Sequence, residues 1–191
     1  MYSLSPTNTS WLCHEIADHY YYTGDMDYLR DRAYPFIKKH GVFLECVLSE
    51  NEEGKLVLPI SSSPELHDNL HESFATPNSS YDLSLMRRVF EVLIDLAGVL
   101  GYEEDAAKWT ALLSKMDPLP IDHDGFIKIS RDERLSESHR HFSHAMAIHP
   151  LGILDWSDGE ESQRIIKATL KRLQDIGPDY WTGYSYSWLG N

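Results

Sequence analysis

The stretch from 82 to 100 constrains the fold of this chain more than any other. Leu85, Val89, Phe90, Leu93, Ile94, Leu96 and Ala97 recur there at helical spacing, no proline interrupts them, and Gly101 follows. That pattern predicts a helix with one wide apolar face, ended by a glycine where a left-handed residue is favoured. A face this wide needs partners to cover it. The segment 103–116 supplies one through Ala107, Leu112 and Leu113, until Asp117-Pro118-Leu119-Pro120 halts it, since proline disfavours the α conformation in its predecessor.

The same alternation of helix and break recurs upstream. A first helix starts near Thr7 to Ser10, where Asn8, Thr9 and Ser10 offer cap acceptors, and runs through Trp11, Leu12, Ile16, Ala17, His19 and Tyr20. Thr23-Gly24-Asp25 breaks it, and Asp25 is placed to cap a segment at 26–32. The longer stretch 34–48 carries Phe36, Ile37, Val42, Phe43, Val47 and Leu48, with Pro35 tolerated in its first turn. Helices joined by a short turn read as an αα-hairpin. A charged helix is expected at 159–176, and short strands at 55–58 and 125–129. The predicted class is all-α: helical hairpins with long polar loops and minor strand.

Composition narrows the function. Thirty acidic against seventeen basic residues in 191 leave a formal charge of −13, and the basic pairs Lys38-Lys39 and Arg87-Arg88 are isolated. Such a chain repels a phosphate backbone, so no nucleic-acid partner is expected. No apolar run approaches the roughly 20 residues of a membrane span, so no membrane is expected either. Cys13 and Cys46 form no disulfide framework, and Met1 is not followed by a basic stretch and an apolar run. The expectation is a chain without a signal peptide, cytoplasmic by default, with the export of any longer parent left open. The closing aromatic run to Asn191, without a polar tail, reads as interior to a longer sequence.

Two segments concentrate chemistry. The polar connection between 49 and 81 holds Glu65, His67, Asp68, Asn69, His71 and Glu72, and a connection of that length is usually functional or disordered. Glu65 follows Pro64 after the apolar stretch 56–60, where burial suits a carboxyl to general-acid work; exposed, it is a surface glutamate or a cap. The second segment is His139-Arg140-His141-Phe142-Ser143-His144, with His149-Pro150 beyond it. On a helix His141 and His144 share a face; on a strand His139 and His141 do. His-Glu-x-x-His is absent, as is any closed zinc donor set, so neither metal nor cofactor is expected. Hydrogen bonding within a polar pocket fits this mixture, and satisfied core histidines are the plainer alternative. Tyr180, Trp181, Tyr184, Tyr186 and Trp188 serve either as stacking surfaces for sugar faces or as core packing with a polar handle.

These segments together resemble a known family. Trp11-Leu12-Cys13-His14 with Asp18-His19-Tyr20 and Tyr22-Thr23-Gly24-Asp25 resembles a helix and turn in the catalytic domain of glycoside hydrolase family 95, known for α-L-fucosidases. Ser61 to Glu65 with Asn69 is similar to that family's loop ending in Ser-Pro-Glu. Ser80-Tyr81-Asp82 resembles its Thr-Met-Asp, His139 to His144 its His-Arg-His-x-Ser-His block, and Thr182-Gly183-Tyr184-Ser185 with Trp188 its closing Thr-Gly-Trp-Ser segment. The matches run in the correct order over nearly the whole chain.

The resemblance implies part of an (α/α)6 barrel and an inverting hydrolysis of α-L-fucosides or related sugars. Glu65 matches the acid that protonates the leaving oxygen. Asn69, His139, His141, His144 and Trp181 match positions that bind the sugar. The asparagines and the aspartate that position the attacking water would lie before Trp11 and after Trp188, so the chain alone is expected to be inactive or nearly so. Its partners would be an oligosaccharide or glycan side chain and the remaining segments of the parent catalytic domain. Ile16-Ala17-Asp18, Ser62 and Tyr184 depart from the fucosidase pattern and leave the sugar open between fucoside, galactoside and another pyranoside. The rival readings are a non-catalytic carbohydrate-binding or scaffold protein and, third, a histidine-rich metal site.

Overall fold

The computed structural model describes residues 5–191, apart from the side chains of Asp68, Asn69 and Ala75. The described chain is predominantly helical with little strand, as the sequence predicts, and no described helix is long and apolar enough to cross a membrane. It divides into two compact units, one formed mainly by Ile60–Ser84 and Pro118–Asn191, the other by Pro6–Pro59 and Leu85–Asp117.

In the second of these units, helix α1 (Asn8–Thr23) ends at Gly24, whose left-handed backbone (φ 66°) lets its N–H reach the Tyr20 carbonyl at 2.7 Å. Thr7 stands at its N-cap, its side chain making no capping bond, so none of the three expected cap acceptors fills that position. Asp25 then caps α2 (Met26–Tyr28) by accepting from the Tyr28 N–H at 2.9 Å. The expected break between 26–32 and 34–48 does not occur. A π-turn (Leu29–Ala33) leads directly into α3 (Tyr34–Val47). Pro35 accounts for the difference, because its missing N–H and its ring disturb the preceding turn, and the wider π spacing accommodates both.

Helix α4 (Ser80–Leu100) begins in the first unit, and its remainder packs in the second with α5 (Glu103–Ser114). Phe90 and Trp109, both fully buried, stack with centroids 6.1 Å apart at 20°. Ile37, Leu44, Leu93 and Leu96 complete this core, each contributing on the order of 2 kcal/mol by burial. α3 comes so close that a Cβ on Gly41 would meet Leu93 Cδ1 at 2.5 Å and the Trp109 ring at 3.3 Å. Between α3 and α4 lies a two-residue hairpin, β1 (Ser49–Glu50) against β2 (Leu56–Val57), turned by Asn51, whose Oδ1 accepts from the N–H groups of Glu53 and Lys55.

The first unit is built around loops. β3 (Ser61–Ser62) pairs antiparallel with β4 (Phe74–Ala75), and two short 3-10 turns lie between them. The strand expected at 125–129 is reduced to one bridge, Ile121 to Ile127, since only that pair finds a partner. α6 (Glu160–Ile176) turns Ile165, Ile166, Thr169 and Leu173 inward at helical spacing. The aromatic tail forms a further helix, α7 (Gly183–Gly190), started by a reciprocal Thr182/Ser185 capping box that the sequence reading did not use. Leu66, Ile129, Leu135, Phe142, Ala145 and Leu173 form the core beneath the loops, with Trp181 and Trp188 packed against it.

Two helical glycines separate packing from propensity. Gly41→Ala is expected to destabilise the protein by about 1–3 kcal/mol through overpacking, despite alanine's better helix propensity. Gly98→Ala, where a Cβ would meet nothing within 4 Å, is expected to stabilise it by about 0.5–1 kcal/mol. Urea unfolding midpoints of the two variants check both signs.

Candidate active site

Glu65 stands in the left-handed region (φ 61°, ψ 3°), and His67 does too (φ 55°). For a residue with a Cβ this costs on the order of 1–3 kcal/mol and persists only where neighbours over-determine the backbone. The serines ahead of it do so. The Ser61 hydroxyl donates to Asp82 Oδ2 at 2.7 Å, and the Ser62 N–H donates to the same oxygen at 3.2 Å. The Ser79 hydroxyl donates to the Ser62 carbonyl at 2.9 Å, and the oxygens of Ser63 and Ser143 share a proton at 2.5 Å.

That last contact ties the Glu65 loop to the histidine block, and the two converge on one carboxyl oxygen. Glu65 Oε2 accepts from an Arg140 Nη2–H in direct contact and meets His141 Nε2 at 2.7 Å. The Tyr184 ring stacks on His141 at 5.4 Å and 25°, its hydroxyl 3.3 Å from Nδ1 and 3.4 Å from Nε2. The start of α7 holds this side in place, because the Ser185 hydroxyl donates to the Arg140 carbonyl at 2.8 Å while serving in the cap. Glu65 is 20% exposed, His141 30% and Arg140 45%, so the cluster is sheltered yet open to a ligand.

Burial is the main influence on His141 and lowers its pKa, with Glu65 opposing through its hydrogen bond and charge and His139 and Arg140 reinforcing. The imidazole is therefore neutral at pH 7. A neutral ring beside a carboxylate carries its proton on Nε2, which assigns donation to Glu65 and leaves Nδ1 to accept from the Tyr184 hydroxyl.

The other residues read from the sequence take different places. His139 Nδ1 accepts the His141 N–H at 3.1 Å, in a segment that is neither helix nor strand, so neither expected face-sharing geometry holds. His144 is buried (2% exposed) on a short 3-10 turn, its pKa pushed down to about 4 by burial and its Nδ1 without a hydrogen-bond partner. Trp181 packs edge-on against Phe142 and Tyr186, at 5.3 Å from each. The Asn69 side chain lies outside the described residues. Arg140 and Tyr184 are the residues the sequence reading underweighted. Arg140 carries a signal, as the only cation inside the histidine block, whereas no local pattern shows that its partner lies 75 positions earlier.

Among the described residues, Asp122, His123 and Asp124 form the one grouping with metal-like spacing. Arg134 already supplies its cation, with Nε 2.7 Å from Asp122 Oδ2 and Nη2 2.8 Å from Oδ1.

Residues 1–191 match the family model of the glycosyl hydrolase family 95 catalytic domain. A curated relative, alpha-L-fucosidase 2 of Arabidopsis thaliana, is 28% identical over 201 residues, which cover 98% of this chain and 23% of that protein. The chain thus spans less than a quarter of the relative's length.

His144 and His40 both stay neutral to about pH 4 in the folded state, against 6.5 ordinarily, burial being the cause in each. The folded protein then binds fewer protons than the unfolded one below pH 6.5. Stability is expected to fall from there to about pH 4, by roughly 1.4 kcal/mol per pH unit for each histidine. Urea titrations at pH 7 and pH 4.5 check this by difference, since His144→Gln should lose about half of the histidine slope.

Proposed function

The chain belongs to glycosyl hydrolase family 95, and from that premise we propose that Glu65 is the general acid of an inverting glycosidase acting on α-L-fucosides or related sugars. The family makes a carbohydrate the substrate class. The observation that carries the finer reading is the convergence of Arg140 and His141 on one oxygen of Glu65.

The chemistry runs as follows. Breaking a glycosidic bond leaves an alkoxide unless a proton reaches the departing oxygen, and a carboxylic acid delivers it best from a sheltered position. In the free protein Glu65 is an acceptor, held by Arg140. To act as the acid it must release that contact and take a proton. A sugar in the site gives Arg140 and neutral His141 new acceptors, its ring and hydroxyl oxygens, so that binding frees the carboxyl where the proton is needed. His139 and Trp181 extend the sugar-binding wall, His144 supports it from the core, and Asn69 stays a candidate from the sequence alone. The groups that position the attacking water come from other parts of the parent protein, which accounts for the expected silence of this chain by itself. An α-L-fucoside is the first substrate to try, in view of the name of the Arabidopsis relative.

The test uses the gene product that carries this chain, a panel of glycosides led by the α-L-fucoside and α-L-galactoside, and proton NMR of the first sugar anomer released. Turnover with inversion is expected, with Glu65→Gln lowering kcat by about 10²–10⁴-fold on sugar leaving groups. Binding of the oligosaccharide without cleavage by the native protein would support the rival reading, a carbohydrate-binding protein.

A further inference from the structure

Asp82 is fully buried, three residues into a helix whose first turn is itself buried. The ordinary device at such a position is the capping box, in which the cap serine accepts from the N–H three residues on and that residue's carboxylate reaches back to the cap N–H. Here the first half is present: the Asp82 N–H donates to Ser79 Oγ at 3.1 Å. The second half is rerouted. The Ser79 N–H donates to Ser61 Oγ at 2.7 Å, and Ser61 in turn donates to Asp82 Oδ2. A hydroxyl from the Glu65 loop has been inserted into the cap of α4. The same carboxylate oxygen holds the Ser62 N–H, so Asp82 grips the loop at two consecutive residues, three and four before Glu65.

From this rerouted cap we infer that Asp82 is a positioning residue for the Glu65 carboxyl, acting through Ser61 and Ser62, an inference that rests on Glu65 being the acid. A carboxylate in this place does two things that a neutral residue does not. Its charge strengthens both hydrogen bonds, and it lies at the helix N-terminus, where the backbone dipoles favour a negative group. With Ser63 fixed separately on Ser143, the chain is pinned at three successive residues before it enters the left-handed turn at Glu65. The turn is thereby held against relaxation to an ordinary backbone conformation, which would swing the carboxyl away from Arg140 and His141.

Positioning and mere stability separate by leaving group. A nitrophenol departs with little help from a proton, whereas an alcohol or sugar does not depart without it. In the gene product that carries this chain, Asp82→Ala and the milder Ser61→Ala are expected to lower kcat about 100-fold on sugar leaving groups, with KM little changed and nitrophenyl glycosides far less affected. That is the profile of Glu65→Gln, reached without touching Glu65. Ser84→Ala, which removes another buried hydroxyl bond of α4 at 2.6 Å, is the control and should leave the ratio between the two substrate types unchanged. An equal loss on both, with Glu65→Gln still selective, would overturn the proposal while leaving the acid assignment standing. No selectivity in Glu65→Gln itself would remove the acid assignment and this inference with it. A second readout does not depend on turnover. Glu65 raises the His141 pKa, so Ser61→Ala should lower the His141 midpoint in an NMR titration, as Glu65→Gln should too. An unmoved midpoint in Ser61→Ala would also overturn the proposal.

Discussion

A helix that starts inside a protein must find hydrogen-bond partners for its first amides without water, and α4 finds some of them in the loop that leads to Glu65 and in the segment at Lys128 and Ile129. Ser79, Ser80, Tyr81 and Asp82 are all buried. The Ser79 N–H goes to Ser61, the Ser80 N–H to the Ile129 carbonyl at 2.7 Å, and the Ser80 hydroxyl to the Lys128 carbonyl at 2.5 Å. Two loops that would otherwise be mobile surface connections are thereby anchored to a helix start. The anchoring of the Glu65 loop is a by-product of satisfying α4, since leaving any one of these groups unpaired would cost on the order of 1–3 kcal/mol.

The same logic explains how a carboxyl and a guanidinium far apart in sequence meet in a chain of strongly negative net charge. The net charge is a property of the exposed surface, where acidic residues crowd helix starts such as Glu103, Glu104 and Asp105 at the head of α5. At Glu65 the local balance is even, with one carboxylate between an arginine and a histidine that its surroundings keep neutral. The carboxyl thus sits in a sheltered place with a cationic partner fixed beside it, and α7 fixes that partner through Ser185. Glu65 and Arg140 are two ends of one constraint that runs through Ser61, Asp82, Ser63, Ser143 and the cap of α7.

Much of this was legible in the sequence, and the division has a physical basis. The helices α1, α4, α5 and α6 follow apolar spacing, which reports burial directly. The continuity of 26–47 did not show, because a proline normally signals a boundary and the π-turn that absorbs Pro35 has no sequence signature of its own. α7 was hidden behind an aromatic run, although Thr182 and Ser185 spelled its cap. Glu65 and His141 were legible as chemistry. Their meeting was not, since it depends on hydrogen bonds between residues 76 positions apart, and the conformation that presents Glu65 is one a glutamate adopts only under tertiary constraint. Asp82 was read as a residue at the start of a helix, while its grip on Ser61 and Ser62 lies wholly in the fold.

The central claim is that the Glu65 carboxyl is held where a glycosidic oxygen arrives. The most direct measurement is a crystal structure of the gene product that carries this chain, inactivated by Glu65→Gln and soaked with an intact α-L-fucoside. The residue at 65 is expected to keep its left-handed backbone and to lie about 2.6–3.2 Å from the glycosidic oxygen, with Arg140 and His141 turned onto the sugar. A sugar bound away from residue 65, with Arg140 and His141 making no contact to it, would contradict the account.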